Sequence, residues 1–202
     1  MQYPAVPRAV MPGLTLLIPD PDVVRNMYEA EILKDPKIPF PYWTRIWPAA
    51  QALAAFLLEE PAWIKGKAVL EMGAGIGVPS FAVAHMTGRS IVSDNNPDAV
   101  VLVRQNIIQL QLTHVHAEQI DWNNAPLLEK VDTLLMSDIN YDPNQFKSLK
   151  TMIQGYKAQG TDIIITSPIR MSTRPFYDVL MPYLSRTFVR SVDGTDIAFC
   201  ML

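Results

Sequence analysis

The chain has one cysteine, Cys200, and three histidines among its 202 residues. One cysteine cannot form a disulfide within the chain, and this usage is typical of a reducing compartment, so we expect a cytoplasmic protein. His114 and His116 fall on one face of a short strand-like segment. A zinc site would need further ligands, which the neighbouring sequence does not supply, so no metal site is expected.

Long apolar runs and clusters of basic residues are also missing. No apolar segment approaches the ~20 residues that cross a bilayer, and the first residues lack a basic region followed by an apolar core, so we expect neither a membrane span nor a signal peptide. The formal net charge of −3 argues against a large nucleic-acid surface. With 49% hydrophobic residues, the composition is that of a globular chain with a substantial core.

The most informative segment is 67–80, with the sequence KAVLEMGAGIGVPS. A short apolar run ends in the acidic Glu71, and three glycines follow at every second position, Gly73, Gly75 and Gly77. Glycine lets the backbone turn sharply and approach a ligand, and the helix that should follow offers free N–H groups. The pattern predicts a strand, a tight turn and a helix around a nucleotide-type cofactor. A tight turn without a ligand is the alternative.

Asp94 ends the next predicted strand, residues 89–94, a little over twenty positions after Glu71. In doubly wound α/β folds an acidic residue at this place accepts hydrogen bonds from ribose hydroxyls. Asn95 follows it and opens the segment that caps the next predicted helix. A capping role for Asp94 is the alternative, and the glycine loop at this distance favours ribose binding.

Aromatic side chains mark two further segments. Trp43 and Trp47 lie with a tyrosine within six residues, just before a predicted helix. Trp122 follows the predicted third strand, in a loop that would border a bound ring. Core packing is the ordinary role of such residues. The functional alternative is that Trp43 or Trp47 lines a pocket for a positively charged group.

Polar residues follow the predicted fourth and fifth strands. The segment 131–138 ends in Ser137 and Asp138, and Tyr141 follows it. Arg170 follows the segment 162–167. Ligands of such sheets bind beyond the carboxyl ends of the strands, so we expect these residues to face the same pocket as the glycine loop. An ordinary loop acid at Asp138 is the alternative.

The alternation of strand-like and helix-like segments predicts an α/β fold. We expect a Rossmann-like, doubly wound, seven-stranded and mostly parallel sheet with helices on both faces. Asp193-Gly194 between two apolar segments predicts a C-terminal antiparallel hairpin. Residues 41–202 should form a single domain, on which residues 1–40 pack as an N-terminal arm and helix. The proline-rich first 21 residues suit an extended arm or an added strand.

Taken in order, these motifs resemble the seven-β-strand, S-adenosylmethionine-dependent protein-lysine methyltransferases. The motifs are Trp-Pro, Glu-x-Gly-x-Gly-x-Gly, Asp-x-Asn-Pro, a loop Trp and Ser-Asp-x-x-Tyr, between about residues 40 and 170. Segment 41–48 most resembles the branch that methylates lysines of the electron transfer flavoprotein β-subunit. Segment 167–170, Ser-Pro-Ile-Arg, departs from the Asp-Pro-Gly-Arg expected of that branch, which bears on the substrate and not on the cofactor.

The resemblance implies S-adenosylmethionine as cofactor and a lysine of a protein substrate as acceptor. The residues predicted to bind the cofactor are Trp47, Glu71, Gly73, Ala74, Gly75, Gly77, Asp94, Asn95, Trp122 and Ser137. Asp138 and Tyr141 are predicted to act at the transferred methyl group, and Trp43, Tyr141 and Arg170 to contact the substrate.

Other functions remain open on the sequence. A small-molecule amine or pyridine N-methyltransferase would use the same pocket, and a cofactor-binding interaction protein would have lost catalysis. Nucleic-acid N-methyltransferases often carry Asp/Asn-Pro-Pro-Tyr, where this chain has Ile139 and Asn140 in the middle. An NAD-dependent oxidoreductase is disfavoured because the third glycine is one place early for G-x-G-x-x-G. We therefore expect neither a nucleic-acid nor a membrane partner.

Overall fold

A computed structural model of the protein describes residues 3–124 and 126–202. The helices are α1 (Pro21–Ile32), α2 (Pro48–Glu59), α3 (Val78–Val83), α4 (Pro97–Gln109), α5 (Phe146–Ala158) and α6 (Arg174–Leu180). The strands are β1 (Ala5–Met11), β2 (Leu14–Pro19), β3 (Ala68–Met72), β4 (Arg89–Asp94), β5 (Val115–Gln119), β6 (Thr133–Ser137), β7 (Asp162–Pro168), β8 (Arg186–Val192) and β9 (Thr195–Met201). None of the helices within these ranges is both long and apolar enough to cross a membrane.

The central sheet has seven strands in the order β5-β4-β3-β6-β7-β9-β8. The five strands from β5 to β7 run parallel, and β9 and β8 are antiparallel to their neighbours. The predicted doubly wound sheet and its C-terminal hairpin are thereby confirmed. After β3 the chain builds β4 and β5 on one side, then returns to place β6 on the other side of β3. The carboxyl ends of β3 and β6 therefore flank the point where ligands of such sheets bind.

Helices cover both faces of the sheet because successive strand residues point to opposite sides. Val69 of β3 and Leu135 of β6 pack in one cluster with α2. Leu70 and Leu134, their neighbours in sequence, pack in a second cluster with α5 and α6. Strands buried on both faces read as continuous apolar runs, which is why these segments showed no alternation.

The N-terminal segment forms a hairpin of its own, β1–β2, which is not part of the central sheet. It is fastened to α4 by the fully buried Asn106, whose Oδ1 accepts from the Leu17 N–H at 2.7 Å and whose Nδ2 donates to the Leu17 carbonyl at 3.1 Å. For this segment the sequence left open an extended arm or an added strand, and the structure has two strands that pair with each other rather than with the central sheet. Residues 1 and 2 of that predicted arm lie outside the described residues, and the division of domains at residue 41 stays a prediction.

Two local details concern the ends of elements. The carboxylate of Asp20 caps α1 by accepting the N–H groups of Asp22 and Val23, and Pro21 is suited to the first helical position. Strand β5 begins at Val115, so His114 lies before it, and the His114 ring nitrogen Nε2 lies 2.7 Å from the Ala84 carbonyl oxygen.

Candidate active site

A cavity of about 600 Å³ opens beyond the carboxyl ends of β3, β4 and β6, a volume suited to a nucleoside-sized ligand. Most of the predicted site residues line this cavity: Trp43, Trp47, Gly73, Ala74, Gly75, Asp94, Asn95, Trp122, Ser137, Asp138 and Tyr141. The structure thus brings together residues from five separate segments. Glu71, Gly77 and Arg170 lie outside the cavity wall.

Asp94 joins the glycine loop to the end of β4. Its Oδ2 accepts the Gly75 N–H at 2.8 Å and its Oδ1 accepts the Asn96 N–H at 2.9 Å. Asp94 is only 8% exposed, and burial raises the pKa of its carboxyl above the usual range, although these N–H groups oppose the rise. Each oxygen can still accept a further hydrogen bond, so the carboxylate remains able to bind hydroxyls in the cavity.

Two loop positions need glycine both for conformation and for space. Gly73 and Gly75 have φ values of 65° and 54°, in the left-handed region that side chains disfavour. A Cβ on Gly75 would lie 3.2 Å from the Trp43 carbonyl oxygen, and one on Gly73 would lie 2.8 Å from Cγ2 of Ile139. The loop is therefore closely enclosed by the aromatic segment on one side and by the segment after β6 on the other.

Glu71 lies behind the glycine loop. Strand alternation directs its side chain to the same face as Val69, where Oε2 accepts the Ser80 N–H of α3 at 2.9 Å. The carboxyl is completely buried, and this burial raises its pKa to about 7. Its Oε1 has no hydrogen-bond partner among the described residues. Glu71 is placed to hold α3 against the loop, and its direct contact with a cofactor stays a prediction.

Gly77 likewise lies behind the loop, where it caps α3 with φ 83°. A Cβ there would lie 2.9 Å from Cγ1 of Val92 and 3.1 Å from the Phe81 ring. This glycine therefore allows α3 to approach the sheet closely, and its predicted cofactor contact is untested.

Three aromatic rings form the outer rim of the cavity. The Tyr42 ring lies with its centroid 6.0 Å from that of Trp47 and 5.5 Å from that of Tyr141. The Trp47 Nε1–H donates to the Tyr42 carbonyl at 3.1 Å, which fixes the two residues together. Tyr42 and Tyr141 are 48% and 54% exposed, so their faces are open to an incoming group. Electron-rich ring faces attract cations.

Sequence reasoning missed Tyr42 as a residue of this rim. The signal was present, because Tyr42 belongs to the six-residue aromatic cluster, but only the two tryptophans of that cluster were considered as pocket residues. Trp43 is instead buried, with its ring centroid 6.0 Å from that of Tyr3. Trp122, on the opposite side, lies beside Gly73 and donates its Nε1–H to Gln145 at 3.2 Å.

Asp138 forms an ion pair with Arg170 through both carboxylate oxygens. Arg170 Nη1 donates to Oδ1 at 2.7 Å and Nη2 donates to Oδ2 at 3.0 Å. The backbone of Asp138 is in the left-handed region, with φ 52°, and its N–H donates to the Thr166 carbonyl of β7 at 2.8 Å. The sequence placed both residues near the pocket but did not predict that they bind each other.

Residues 43–180 match the family model described as lysine methyltransferase. The electron transfer flavoprotein beta subunit lysine methyltransferase of Mus musculus is 33% identical over 135 residues, which cover 64% of this chain and 51% of that protein. The calmodulin-lysine N-methyltransferase of Arabidopsis thaliana is 30% identical over 137 residues, covering 61% of this chain and 44% of that protein. The chain thus spans about half the length of these curated relatives.

A solved structure confirms the fold. The N-methyltransferase NodS from Bradyrhizobium japonicum, in complex with S-adenosylhomocysteine, superposes with a TM-score of 0.61 at 15% identity, covering 75% of this chain and 83% of that one. At this identity the likeness concerns the fold alone.

Proposed function

This chain belongs to the lysine methyltransferase family, and on that premise we propose that it transfers methyl groups from S-adenosylmethionine to lysine side chains of a protein substrate. One observation carries the proposal. A single cavity holds the glycine loop and Asp94 at one side and Asp138, Tyr141 and the aromatic rim at the other. A cofactor and an acceptor can therefore meet inside it.

The residues on the first side fit S-adenosylmethionine. The buried Asp94 carboxylate keeps acceptor capacity for the ribose hydroxyls, and Gly73 and Gly75 line the cavity beside it. The indole of Trp122 beside Gly73 offers a flat apolar surface for a base. When bound, the cofactor supplies an electrophilic methyl group on a sulfonium.

The residues on the second side would receive and orient the acceptor. A free lysine amine has a pKa near ~10.4, so it must lose a proton before it can attack. Passage along the exposed faces of Tyr42 and Tyr141 at the rim would remove water from the amine, and desolvation favours its neutral form. Asp138 would accept a hydrogen bond from the amine and hold it in line with the methyl group. Such positioning can supply a large part of a rate enhancement.

Exposed apolar side chains favour a lysine on a protein over a free small molecule as the acceptor. Besides the two half-exposed tyrosines of the rim, Ile169 and Met171 on either side of Arg170 are 58% and 92% exposed. These apolar groups would have a contact surface if a protein delivered the lysine. The relatives whose names give an acceptor act on proteins. A cytoplasmic location stays a prediction from the cysteine usage.

The test has two stages. Calorimetric titration with S-adenosylmethionine and S-adenosylhomocysteine should show binding that Asp94→Ala weakens strongly. Incubation with methyl-labelled S-adenosylmethionine and a cell lysate, with purified electron transfer flavoprotein β-subunit, or with calmodulin should then place label on lysine, located by mass spectrometry.

Asp138→Ala tests the acceptor side of the cavity and is compared with Asp94→Ala on the cofactor side. It should keep cofactor binding and lose transfer, whereas loss of both would make Asp138 a cofactor or folding residue. Absence of binding to either compound would remove the methyltransferase assignment. Label confined to dialysable products would replace the protein acceptor with a small amine.

A further inference from the structure

The Asp138–Arg170 ion pair presents only its acid to the cavity. The carboxylate lines the cavity and its side chain is 6% exposed, whereas the guanidinium lies outside the wall and its side chain is 35% exposed. Both oxygens are bound by the planar fork of Arg170, a geometry that fixes the orientation of a carboxylate as well as its charge.

The loop that carries Arg170 is itself anchored. The Arg170 carbonyl accepts both the hydroxyl and the N–H of Thr173, at 2.8 and 3.2 Å. The preceding N–H, of Ile169, donates to the Asp196 carbonyl at 3.0 Å. The guanidinium thus reaches Asp138 from a backbone held at two points, which suits a permanent partner better than a mobile one.

The other titratable groups near Asp138 leave Arg170 as the cation bound to it. Asp138 interacts with Tyr141 on its own loop and with Tyr177 on α6. Tyr141 in turn interacts with Tyr42, Asp94 and Asp142, and Tyr177 with the Cys200 thiol. Burial raises the pKa of Tyr141 and of Tyr177, so both phenols stay neutral at physiological pH. Nearby carboxylates raise the pKa of Tyr141 further. Arg45 is another cation of the cavity wall, and it lies over the Phe40 ring with its Cζ 4.8 Å from the ring centroid. Without Arg170, the groups that face Asp138 itself would be neutral phenols, and its negative charge would be uncompensated.

An unpaired carboxylate beside a lysine would oppose methyl transfer. It would stabilise the ammonium, raise the pKa of the amine and withhold the lone pair that must attack. A carboxylate that is neutralised by arginine keeps free acceptor positions, since its two oxygens offer about four. It can therefore orient an amine without holding it in the charged form.

We propose that Arg170 is a positioning residue that cancels the charge of Asp138, so that the acceptor amine is bound neutral and ready to attack. The inference rests on the proposed function, because it assigns Asp138 to the acceptor. It gives Arg170 a different role from the substrate contact that the sequence suggested: Arg170 acts on the substrate through Asp138.

Amine binding tests this role without requiring turnover. The probe is n-butylamine, the end of a lysine side chain, added to protein saturated with S-adenosylhomocysteine. Binding is followed by the fluorescence of the tryptophans that line the cavity. Between pH 7 and 9 the apparent Kd of the wild type should fall about tenfold per pH unit, because the neutral fraction of the amine rises by that factor. In Arg170→Gln the apparent Kd should stay nearly constant, because the exposed charge of Asp138 now selects the ammonium.

Three further variants distinguish an effect of the Arg170 charge from an effect of disturbed folding. Arg174→Gln removes an exposed arginine four positions away and should keep the wild-type slope. Arg170→Lys retains a positive charge and should keep most of the wild-type slope, that is, the change in apparent Kd per pH unit. Asp138→Asn carries no charge to cancel and should match the wild-type slope even if Arg170→Gln fails to fold.

Equal slopes in the wild type and Arg170→Gln would overturn the inference, as would a flat wild-type response or a steeper slope in Asp138→Asn. Absence of butylamine binding in every variant would also overturn it, since Asp138 would then not be an amine site. The methylation assay decides the proposed function separately.

Discussion

The backbone N–H of Gly75 donates to Oδ2 of Asp94 across 2.8 Å, so the glycine loop after β3 is bound to the end of β4. The other oxygen of the same carboxylate holds the Asn96 N–H at the start of the next turn. One buried acid thereby shapes two loops of the cavity. The site is preorganised, and its ligand need not pay the full cost of ordering the backbone.

Asp94→Asn should weaken binding of S-adenosylhomocysteine by about tenfold or more. The amide has one oxygen, so one of the two backbone N–H groups would face an NH₂ group and lose its acceptor. Calorimetry measures the effect. Asp132→Asn is the control, because Asp132 also accepts a backbone N–H, from Ala68 at 2.7 Å, but at the far end of the sheet. Equal affinities for the two variants would contradict a binding role for Asp94.

Gly75→Ala should destabilise the loop and abolish measurable cofactor binding. The substitution combines a positive φ, which costs about 1–2 kcal/mol for a residue with a side chain, with a contact of 3.2 Å to the Trp43 carbonyl. Gly160→Ala separates the two effects, because Gly160 has φ 82° but no atom within 4 Å of the added Cβ. Denaturant unfolding should show a lower free energy of unfolding in both variants, and calorimetry should show loss of cofactor binding in Gly75→Ala alone.

Glu71 should make stability fall as pH rises. Its pKa is raised from 4.5 to about 7 in the folded protein, so the folded state holds the proton more tightly than the unfolded chain. The contribution is complete below pH 4.5 and is lost as pH rises through 7, a change of about 3 kcal/mol. Glu71→Gln cannot ionise and can still accept the Ser80 N–H. Its stability relative to wild type should increase between pH 5 and 8 in urea unfolding; parallel curves for the two proteins would refute the effect.

Tyr141→Phe should retain methyl transfer within about threefold of wild type, whereas Tyr141→Ala should lose tenfold or more in kcat/KM. Burial and neighbouring carboxylates raise the pKa of Tyr141, so its hydroxyl stays protonated and cannot serve as a base near pH 7. The ring next to Tyr42 is the part that the acceptor would contact. If the Phe variant were as impaired as the Ala variant, the hydroxyl would have a direct role.

Asn106→Ala should lower the free energy of unfolding by about 2–3 kcal/mol and expose the N-terminal hairpin to proteolysis. The change removes two hydrogen bonds to Leu17 and leaves that backbone N–H and carbonyl without their partner. Gln109→Ala, one turn further along α4, removes a single exposed bond to the Thr15 carbonyl and should cost under about 0.5 kcal/mol. Equal losses in the two variants would show that the hairpin does not depend on the buried amide.

Much of the fold could be predicted from the sequence because it depends on interactions between residues that are close in the chain. The apolar segment before Gly73, the alternating glycines and the proline that follows specify strand, turn and helix by local backbone preference. The position of Asp94 followed from the same geometry, since parallel neighbours end at the same edge of the sheet. The orientation of the Glu71 side chain could not be predicted in this way, because a residue at a strand end can face either the ligand or the helix behind it.

By itself, the sequence determined the order of strands and helices from β3 onward and the tight loop, and its motifs resembled the family to which the chain belongs. The strands, the helices and the loop follow from spacing within short segments, where each residue constrains the next. Only the tertiary structure decided that Arg170 binds Asp138 across 32 positions, that Tyr42 joins Tyr141 at the rim, and that the N-terminal hairpin lies on α4. Those contacts depend on how whole helices and strands pack. Packing brings together side chains that are far apart in the sequence, and their sequence separation does not indicate that they meet.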